Sequence, residues 1–423
     1  MFFMFLYIDY MAMSKIDDSD IIYLDNNATT IVPQIVIDSM VKCLNLGNPS
    51  GLYKSAKFCQ EIIKTFRDEI AKICEFNLDD YMVLFNSGAS EGVNHIINAT
   101  ASAYTLEMGK IPHIIVSDVE HSALMKCVDK LENDGKIELS KIKSHFRPIT
   151  PSELKQELRP NTALISIMNA NNETGIINNV AELKKVAPNI PFHTDATQYF
   201  GKLQFKMNVD AFCASFHKLH GPKGCGLLVI KKSFIDGYKM CPFICGTQNY
   251  GQRGGTEPIH DIAGSLAAFR FTNHNLVDKI DKISRMRAYI AASLLNHYKN
   301  NFTFIEDYNK NKMNGDINIV ILQPKNFEHT LPNTILLSVD RARICNRAIR
   351  NALEYKNIIV GLGSACSKGA DSIVKTMGIP EHLLGGVIRI SLSDMNTQDE
   401  IEKFVKTFIE VIESDKVLLE EKN

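Results

Sequence analysis

The sequence predicts an α/β protein, with a large domain on a mostly parallel sheet followed by a smaller α+β domain. Three observations carry this reading. Between Tyr81 and Ile230, short apolar runs recur with helix-like segments between most of them, the alternation expected of parallel strands joined by crossover helices. The runs are continuously apolar rather than alternating, as strands covered on both faces are. After about Arg270 the texture changes to a long helix, a polar stretch and strands that no longer alternate regularly with helices.

The elements follow in order. Met82–Phe85, His113–Ser117, Ala163–Met168, Phe192–Thr194, Ala211–Ser215 and Gly226–Ile230 read as strands, and Glu91–Glu107, Ala123–Asn133 and Val180–Val186 as helices. In the second part Asp278–Tyr298 reads as a long helix, Asn300–Gly315 as a polar connection, and Ile317–Leu322 and Thr334–Val339 as strands. A Gly/Ser-rich segment, Gly361–Ser372, precedes a strand at Gly386–Leu392. The last helix spans Asp399–Leu419, with Ile401, Phe404, Phe408, Val411 and Ile412 at helical spacing.

Composition excludes several classes. The 423 residues carry 47 Lys+Arg against 48 Asp+Glu, a balance that argues against a dedicated nucleic-acid binder. Hydrophobic residues at 45% and charged residues at 22% argue against a disordered chain. Ten cysteines include no C-x-x-C pair, which argues against a zinc ribbon or a thioredoxin-type motif, and no metal is expected. The apolar stretch Met1–Ile8 is too short to span a bilayer and lacks a basic flank, so a cytoplasmic protein with no membrane partner is expected.

Function is indicated where the apolar runs stop. Five of them end in clusters of small or polar residues: Asn86–Glu91, Asp118–His121, Asn169–Gly175, Asp195–Gln198 and Phe216–Lys218. Ligands of open parallel sheets bind outside the carboxyl ends of the strands, so these five clusters are expected to line one crevice. Ser87-Gly-Ala-Ser90 before a helix suits an anion, through free backbone N–H groups and the helix dipole. No Walker-type glycine loop is present. Gly361-Leu-Gly-Ser-Ala-Cys366 begins like a dinucleotide fingerprint, but Cys366 fills the third glycine position and no βαβ unit surrounds it.

Lys218, at a strand end beside His217, is placed to form a Schiff base, and Lys223 in Gly221-Pro-Lys-Gly224 is the rival amine. Asp195 needs a cationic partner, and a pyridinium nitrogen is one. An amine, a carboxylate and an anion site together are what pyridoxal phosphate requires. Cys366 sits in a polar loop near Lys368, a setting for a reactive thiolate. Arg389, a charge inside an apolar strand, calls for a carboxylate partner from protein or substrate.

In order and in combination these residues resemble the pyridoxal-phosphate-dependent cysteine desulfurases of the NifS/IscS type, within the class V aminotransferases. The resemblance runs from about Ile22 to Leu419. Tyr23-Leu-Asp-Asn-Asn-Ala-Thr-Thr30, Gly47-Asn-Pro-Ser50, Ser87-Gly-Ala-Ser90, Glu120-His121, Asn171-Asn-Glu-Thr-Gly175, Asp195-Ala-Thr-Gln198, His217-Lys218, Gly221-Pro-Lys-Gly224, Arg253-Gly-Gly-Thr256, Ser364-Ala-Cys366 and Arg389-Ile-Ser391 carry it. Ser90 stands where the family more often has threonine. Thr247–Gly251 lacks a Glu-Arg pair, and the segment after Cys366 is shorter than in many members.

The resemblance implies fold type I, with a seven-stranded large-domain sheet. It divides the chain into an N-terminal extension and small-domain segment (1–27), a large cofactor-binding domain (28–275) and a small domain (276–423) carrying the cysteine loop. It implies that Lys218 holds the cofactor and moves a proton, that Asp195 partners the ring nitrogen, that His121 stacks on the ring and that Gln198 donates to the ring oxygen. Asn172 would contact cofactor and substrate. Ala89, Ser90, Ser215 and His217 would hold the phosphate, with Thr256 reaching across from the second subunit of a homodimer. Arg389 would clamp the carboxylate of L-cysteine. Cys366 thiolate would take the substrate sulfur as a persulfide, leaving L-alanine, and pass it to an iron–sulfur scaffold or a tRNA-thiolation protein. The alternatives are a selenocysteine lyase or cysteine sulfinate desulfinase on the same fold, and a non-catalytic binding protein that keeps it.

Overall fold

The structure is a computed structural model that describes residues 20–313, 315–363 and 373–418. Met1–Ile8 and Cys366 therefore lie outside the described residues. The first described strand is β1 (Ile22–Leu24). The large sheet comprises β2 (Tyr81–Asn86), β3 (His113–Ser117), β4 (Glu138–Ile142), β5 (Thr162–Ser166), β6 (Phe192–Asp195), β7 (Ala211–Ser215) and β8 (Gly226–Lys231). Their spatial order is β2-β8-β7-β6-β5-β3-β4. β8 is antiparallel to both its neighbours, β2 and β7. The other pairs are parallel. The carboxyl ends of β2, β3, β5, β6 and β7 thus share one edge.

Both faces of this sheet are covered, which explains the unbroken apolar runs. Val83, Phe85, Ile165, Phe212, Leu227 and Val229 join Ile63, Phe66 and Ile70 of the helix Lys54–Ile73 and Ile262 and Phe269 of the helix Ile259–Asn273. The intervening Leu84, Leu164, Leu228 and Ile230 pack on the opposite side. There they meet Val93, Ile96 and Ile97 of the helix Ala89–Met108 and Leu124 and Val128 of the helix Ser122–Asn133. Alternation along each strand therefore selects between two apolar layers rather than between core and water.

The remaining strands are β9 (Phe302–Phe304), β10 (Asn318–Ile321), β11 (Thr334–Asp340), β12 (Ile358–Val360) and β13 (Val387–Ser391). Four form a mixed sheet in the order β13-β11-β10-β9, and β12 pairs in parallel with β1. Ile22 and Leu24 of β1 are buried with Ile290 and Leu294 of the helix Leu276–Tyr298 and Phe404 and Phe408 of the helix Gln398–Glu413. The N-terminal strand thus shares a core with residues more than 250 positions away, and Asp25 and Asn27 leave it directly toward the large sheet. A further apolar cluster joins Val119 and Ile176 of the large-sheet side to Leu336, Val374 and Val387. Among the described residues, no helix is long and apolar enough to cross a membrane.

The last helix, β9 and β4 are among the elements that differ from the sequence expectation. The last helix begins at a full capping box of Thr397 and Glu400 but ends at Glu413. Ser414 is extended and its side chain accepts from the Lys416 N–H, starting a separate 3-10 turn, Asp415–Val417. β9 lies inside the stretch expected to be a connection, where Phe302, Thr303 and Phe304 pair with β10. β4 was not expected: it is an edge strand with Glu138 and Lys141 exposed, so its apolar signal is halved.

Candidate functional site

The five strand-end clusters converge on one crevice of about 460 Å³. Ala89 and Ser90, His121, Asn172, Asp195 with Gln198, and Ser215 with His217 and Lys218 all line it. The second wall comes from elsewhere: Asp25, Asn27 and Ala28 after β1, Gly361–Gly363 after β12, and Arg389 on β13.

One end suits an anion. Gly88 has φ +143°, and a Cβ built there would lie 3.2 Å from Ser215 Oγ. A Cβ on Gly226 would fall 2.5 Å from the Gly88 Cα, so two glycines let the turn close on the sheet. The Ala89 N–H donates to Ser215 Oγ at 2.8 Å. The N-cap Gly88 has no side chain to cap the helix Ala89–Met108; the Glu91 N–H goes to the Gly88 carbonyl at 3.0 Å, so the helix dipole and the Ser90 N–H are what this helix end offers an anion. Glu91 fixes this turn by accepting from the Ser87 N–H at 2.9 Å and from Arg253 at 2.8 and 3.1 Å. Burial works to raise Glu91, but the Arg253 and Ser87 bonds bring it below its ordinary value. His217 Nδ1 lies 3.1 Å from Thr29 Oγ1. Burial, with Lys218, Lys223 and Lys202 nearby, pushes its imidazole down to about 4, so it is neutral at neutral pH. Thr256 is exposed and does not line this chain's crevice.

The middle of the crevice holds the amine and the buried carboxyl group of Asp195, with a second buried carboxyl, Glu120, outside its lining. Lys218 Nζ donates to the carbonyls of Asn27 at 2.8 Å and Ala28 at 2.6 Å. Burial and then Arg389 lower it to about 8, while Asp25 and Asp195 oppose the fall. Lys223 is exposed in its turn and does not line the crevice. Asp195 is buried at the end of β6 and accepts from the Thr197 N–H at 2.9 Å. Glu120 is 3% exposed, accepts from the Ser117 hydroxyl at 2.6 Å and the Met168 N–H at 2.8 Å, and leaves Oε2 buried without a partner. Burial, reinforced by Asp195, raises it to about 8, a neutral acid at neutral pH. His121 caps the helix Ser122–Asn133, its Nδ1 accepting from the Ala123 N–H at 3.2 Å, with the ring exposed to the crevice.

The third part is a cationic clamp. Arg389 Nη2 meets Asp25 Oδ1 at 2.6 Å and Nη1 donates to the Asn172 carbonyl at 3.0 Å. Its Nε and the side-chain Oδ1 of Asn172 are buried without partners. The carboxylate that the sequence called for is thus Asp25, and the Nε–H of the guanidinium remains unspent. Gly361 leaves room here, since a Cβ would fall 2.5 Å from Asp25 Oδ1 and 3.0 Å from Arg389 Nε.

Every expected site residue except Thr256 and Cys366 therefore borders one crevice. Sequence reasoning assigned no role to Asp25, Asn27, Glu91, Lys202 or Gly361. The polar run Asp25–Thr30 directly after a short apolar strand was the available signal for the first two.

The class-V aminotransferase model matches residues 22–404. A curated relative, the cysteine desulfurase IscS of Methanosarcina thermophila, is 30% identical over 404 residues, covering 93% of this chain and 92% of its own. A solved NifS-like protein superposes with a TM-score of 0.79 at 28% identity, covering 93% of this chain and 99% of that one. A structure of SspA in complex with cysteine superposes with a TM-score of 0.68 at 26% identity, covering 89% and 99%. The chain belongs to the class V aminotransferase family, among the cysteine desulfurases of the NifS/IscS type.

Proposed function

We propose that the protein is a pyridoxal-phosphate-dependent cysteine desulfurase that converts L-cysteine to L-alanine and carries the sulfur on Cys366. The observation that carries the reading is the convergence, in one crevice, of an anion cradle, a lysine lowered to about 8, a buried carboxylate and a clamp with an unspent N–H. The donor set fits the cofactor. Ala89, Ser90, Ser215 and His217 would hold its phosphate, Asp195 its ring nitrogen, Gln198 its ring oxygen and Lys218 its carbonyl carbon, with His121 against the ring face. Pyridoxal phosphate, when bound, supplies an electron sink for the carbon that carries the substrate amine.

This chain's residues do the rest. The unspent Arg389 Nε–H and the Asn172 side chain orient the substrate carboxylate. Lys218, with a free-amine fraction already substantial near pH 8, takes and returns the α-proton. Cys366 follows Gly363, which lines the crevice, by three residues in sequence. Its thiolate attacks the substrate sulfur: the S–S bond forms, the C–S bond breaks, and the carbon takes up a proton to become the methyl of alanine.

Several finer points belong to the same proposal. The chain divides at 1–27, 28–275 and 276–423, supported by the shared core of β1 and the C-terminal helices. It acts as a homodimer, supported by exposed Ile35 and Val41 on the helix Gln34–Cys43, exposed Leu44 just after it, and exposed Leu52 and Phe58 further along the chain. Thr256 then completes the anion cradle of the other subunit. The persulfide serves an iron–sulfur scaffold or a tRNA-thiolation protein in the cytoplasm. Purified protein supplied with pyridoxal phosphate should show a visible absorption band that Lys218→Ala abolishes. Protein that stays colourless after loading contradicts the reading and favours a non-catalytic binding role.

A further inference from the structure

Lys202 was assigned no role, yet its amine lies against the crevice wall. Nζ donates to Gln198 Oε1 at 2.6 Å and to Asn27 Oδ1 at 2.7 Å. The head group of a lysine offers hydrogens to such partners, so it fixes which way both amides face. With Gln198 Oε1 held by Lys202, its NH₂ is turned the other way and donates one hydrogen to the Asn27 carbonyl at 3.0 Å. The same carbonyl accepts from Lys218 at 2.8 Å. Asn27 Oδ1 also accepts from Asn333 Nδ2 at 3.0 Å, so the oxygen facing Lys202 is pinned from a second side. The second hydrogen of the Gln198 NH₂ is then free to serve the crevice that Gln198 lines. A glutamine amide flipped by half a turn would present a lone pair instead.

Resting on the cofactor reading above, we infer that Lys202 is a positioning residue: it locks the Gln198 amide so that the crevice presents a hydrogen-bond donor, never an acceptor, to the ring oxygen of the cofactor. Lys202 does not border the crevice itself and acts through Gln198 and Asn27. Burial, with Lys218 and Arg389 nearby, pushes its amine well below the ordinary lysine range. Protonated or neutral, it still carries the two hydrogens that this geometry uses.

The test is a double-mutant cycle read by pyridoxal phosphate affinity. Lys202→Met should weaken cofactor binding by about ten-fold, the loss of roughly one good buried hydrogen bond. The same change in a Gln198→Ala background should cost less than about two-fold, because the residue it acts through is gone. The pH midpoint of the bound cofactor's visible band should move in K202M and Q198A alike, and K202M should move it no further in the Q198A background. Multiplicative losses, or K202M binding as tightly as wild type, overturn the proposal. If K202M does not fold, Lys202→Arg, whose head group is also all donor, should bind the cofactor within about three-fold of wild type, and a larger loss overturns it. Wild-type protein that takes up no pyridoxal phosphate instead refutes the site reading on which the inference rests.

Discussion

A single methyl group tests the clamp. In Gly361→Ala the new Cβ would lie 2.5 Å from Asp25 Oδ1, 2.9 Å from Arg389 Nη2 and 3.0 Å from Arg389 Nε. Heavy atoms in comfortable contact sit about 3.5 Å apart, so Asp25 has to retreat by up to about 1 Å and the guanidinium by roughly half that. Neither tip is loose. Arg389 is held by the Asp25 pair at 2.6 Å and the Asn172 carbonyl at 3.0 Å, and its side chain is 7% exposed. Gly361 is not in the left-handed region, so alanine suits the backbone and the conflict is confined to the clamp. Disturbing hydrogen bonds to a charged group costs about 1.5–3 kcal/mol, equivalent to about 10- to 150-fold in binding. The expected outcome is a KM for L-cysteine raised by roughly that range, with pyridoxal phosphate affinity within about two-fold of wild type. Steady-state alanine release and cofactor titration measure both. A KM within about two-fold of wild type refutes the placement of the substrate carboxylate beside Gly361.

Three further outcomes follow from the geometry. In cofactor-free protein, Lys218 should react with an amine-acylating reagent with a midpoint near pH 8, read by mass spectrometry. Asp25→Asn should move that midpoint down, because Asp25 works to raise Lys218; a midpoint near the ordinary lysine value contradicts the burial of the amine. Glu120 is raised from 4.5 to about 8, so the stability that goes with its protonated form is present below pH 4.5 and is lost as pH rises to about 8. Glu120→Gln should therefore gain melting temperature relative to wild type as pH rises from 5 to 8, and parallel curves would show that Glu120 ionises freely. Leu52, 88% exposed, and Ile35, 62% exposed, should sit in the dimer contact. Replacing both by aspartate should shift light-scattering mass toward a monomer and weaken cofactor binding through loss of the partner's Thr256, whereas an unchanged dimer places the interface elsewhere.

The large domain was legible because its chemistry is local. Most strands of that sheet that feed the site are largely apolar runs that stop abruptly at the residues that matter, as at Phe85 before Ser87 or Ala214 before Lys218, although β6 is Phe-His-Thr-Asp. The opposite wall was not legible from pattern alone. Asp25 reaches Arg389 across 364 positions, and Gly361 enters the site because β12 pairs in parallel with β1. Glu91 and Arg253 meet across 162 positions, with nothing in either local segment to announce the pair. Lys202 looks like a surface lysine after a turn glycine; only the packing of Asn27 against Gln198 gives its amine two oxygens to hold. Strands β4 and β9 escaped notice for a simpler reason: one is a half-exposed edge and the other is three residues long.

The most direct measurement follows sulfur. Protein loaded with pyridoxal phosphate is given L-cysteine carrying labelled sulfur, and the label on the chain is mapped by peptide mass spectrometry, with alanine counted in parallel. One labelled sulfur should appear on Cys366 for each alanine formed in a single turnover, and both Cys366→Ala and Lys218→Ala should leave the chain unlabelled. Alanine released by Cys366→Ala at the wild-type rate together with elemental sulfur, or with sulfide where a thiol reductant is supplied to reduce that sulfur, and no label on Cys366 in the wild type, would contradict a persulfide-forming desulfurase and favour a selenocysteine lyase or sulfinate desulfinase on the same fold.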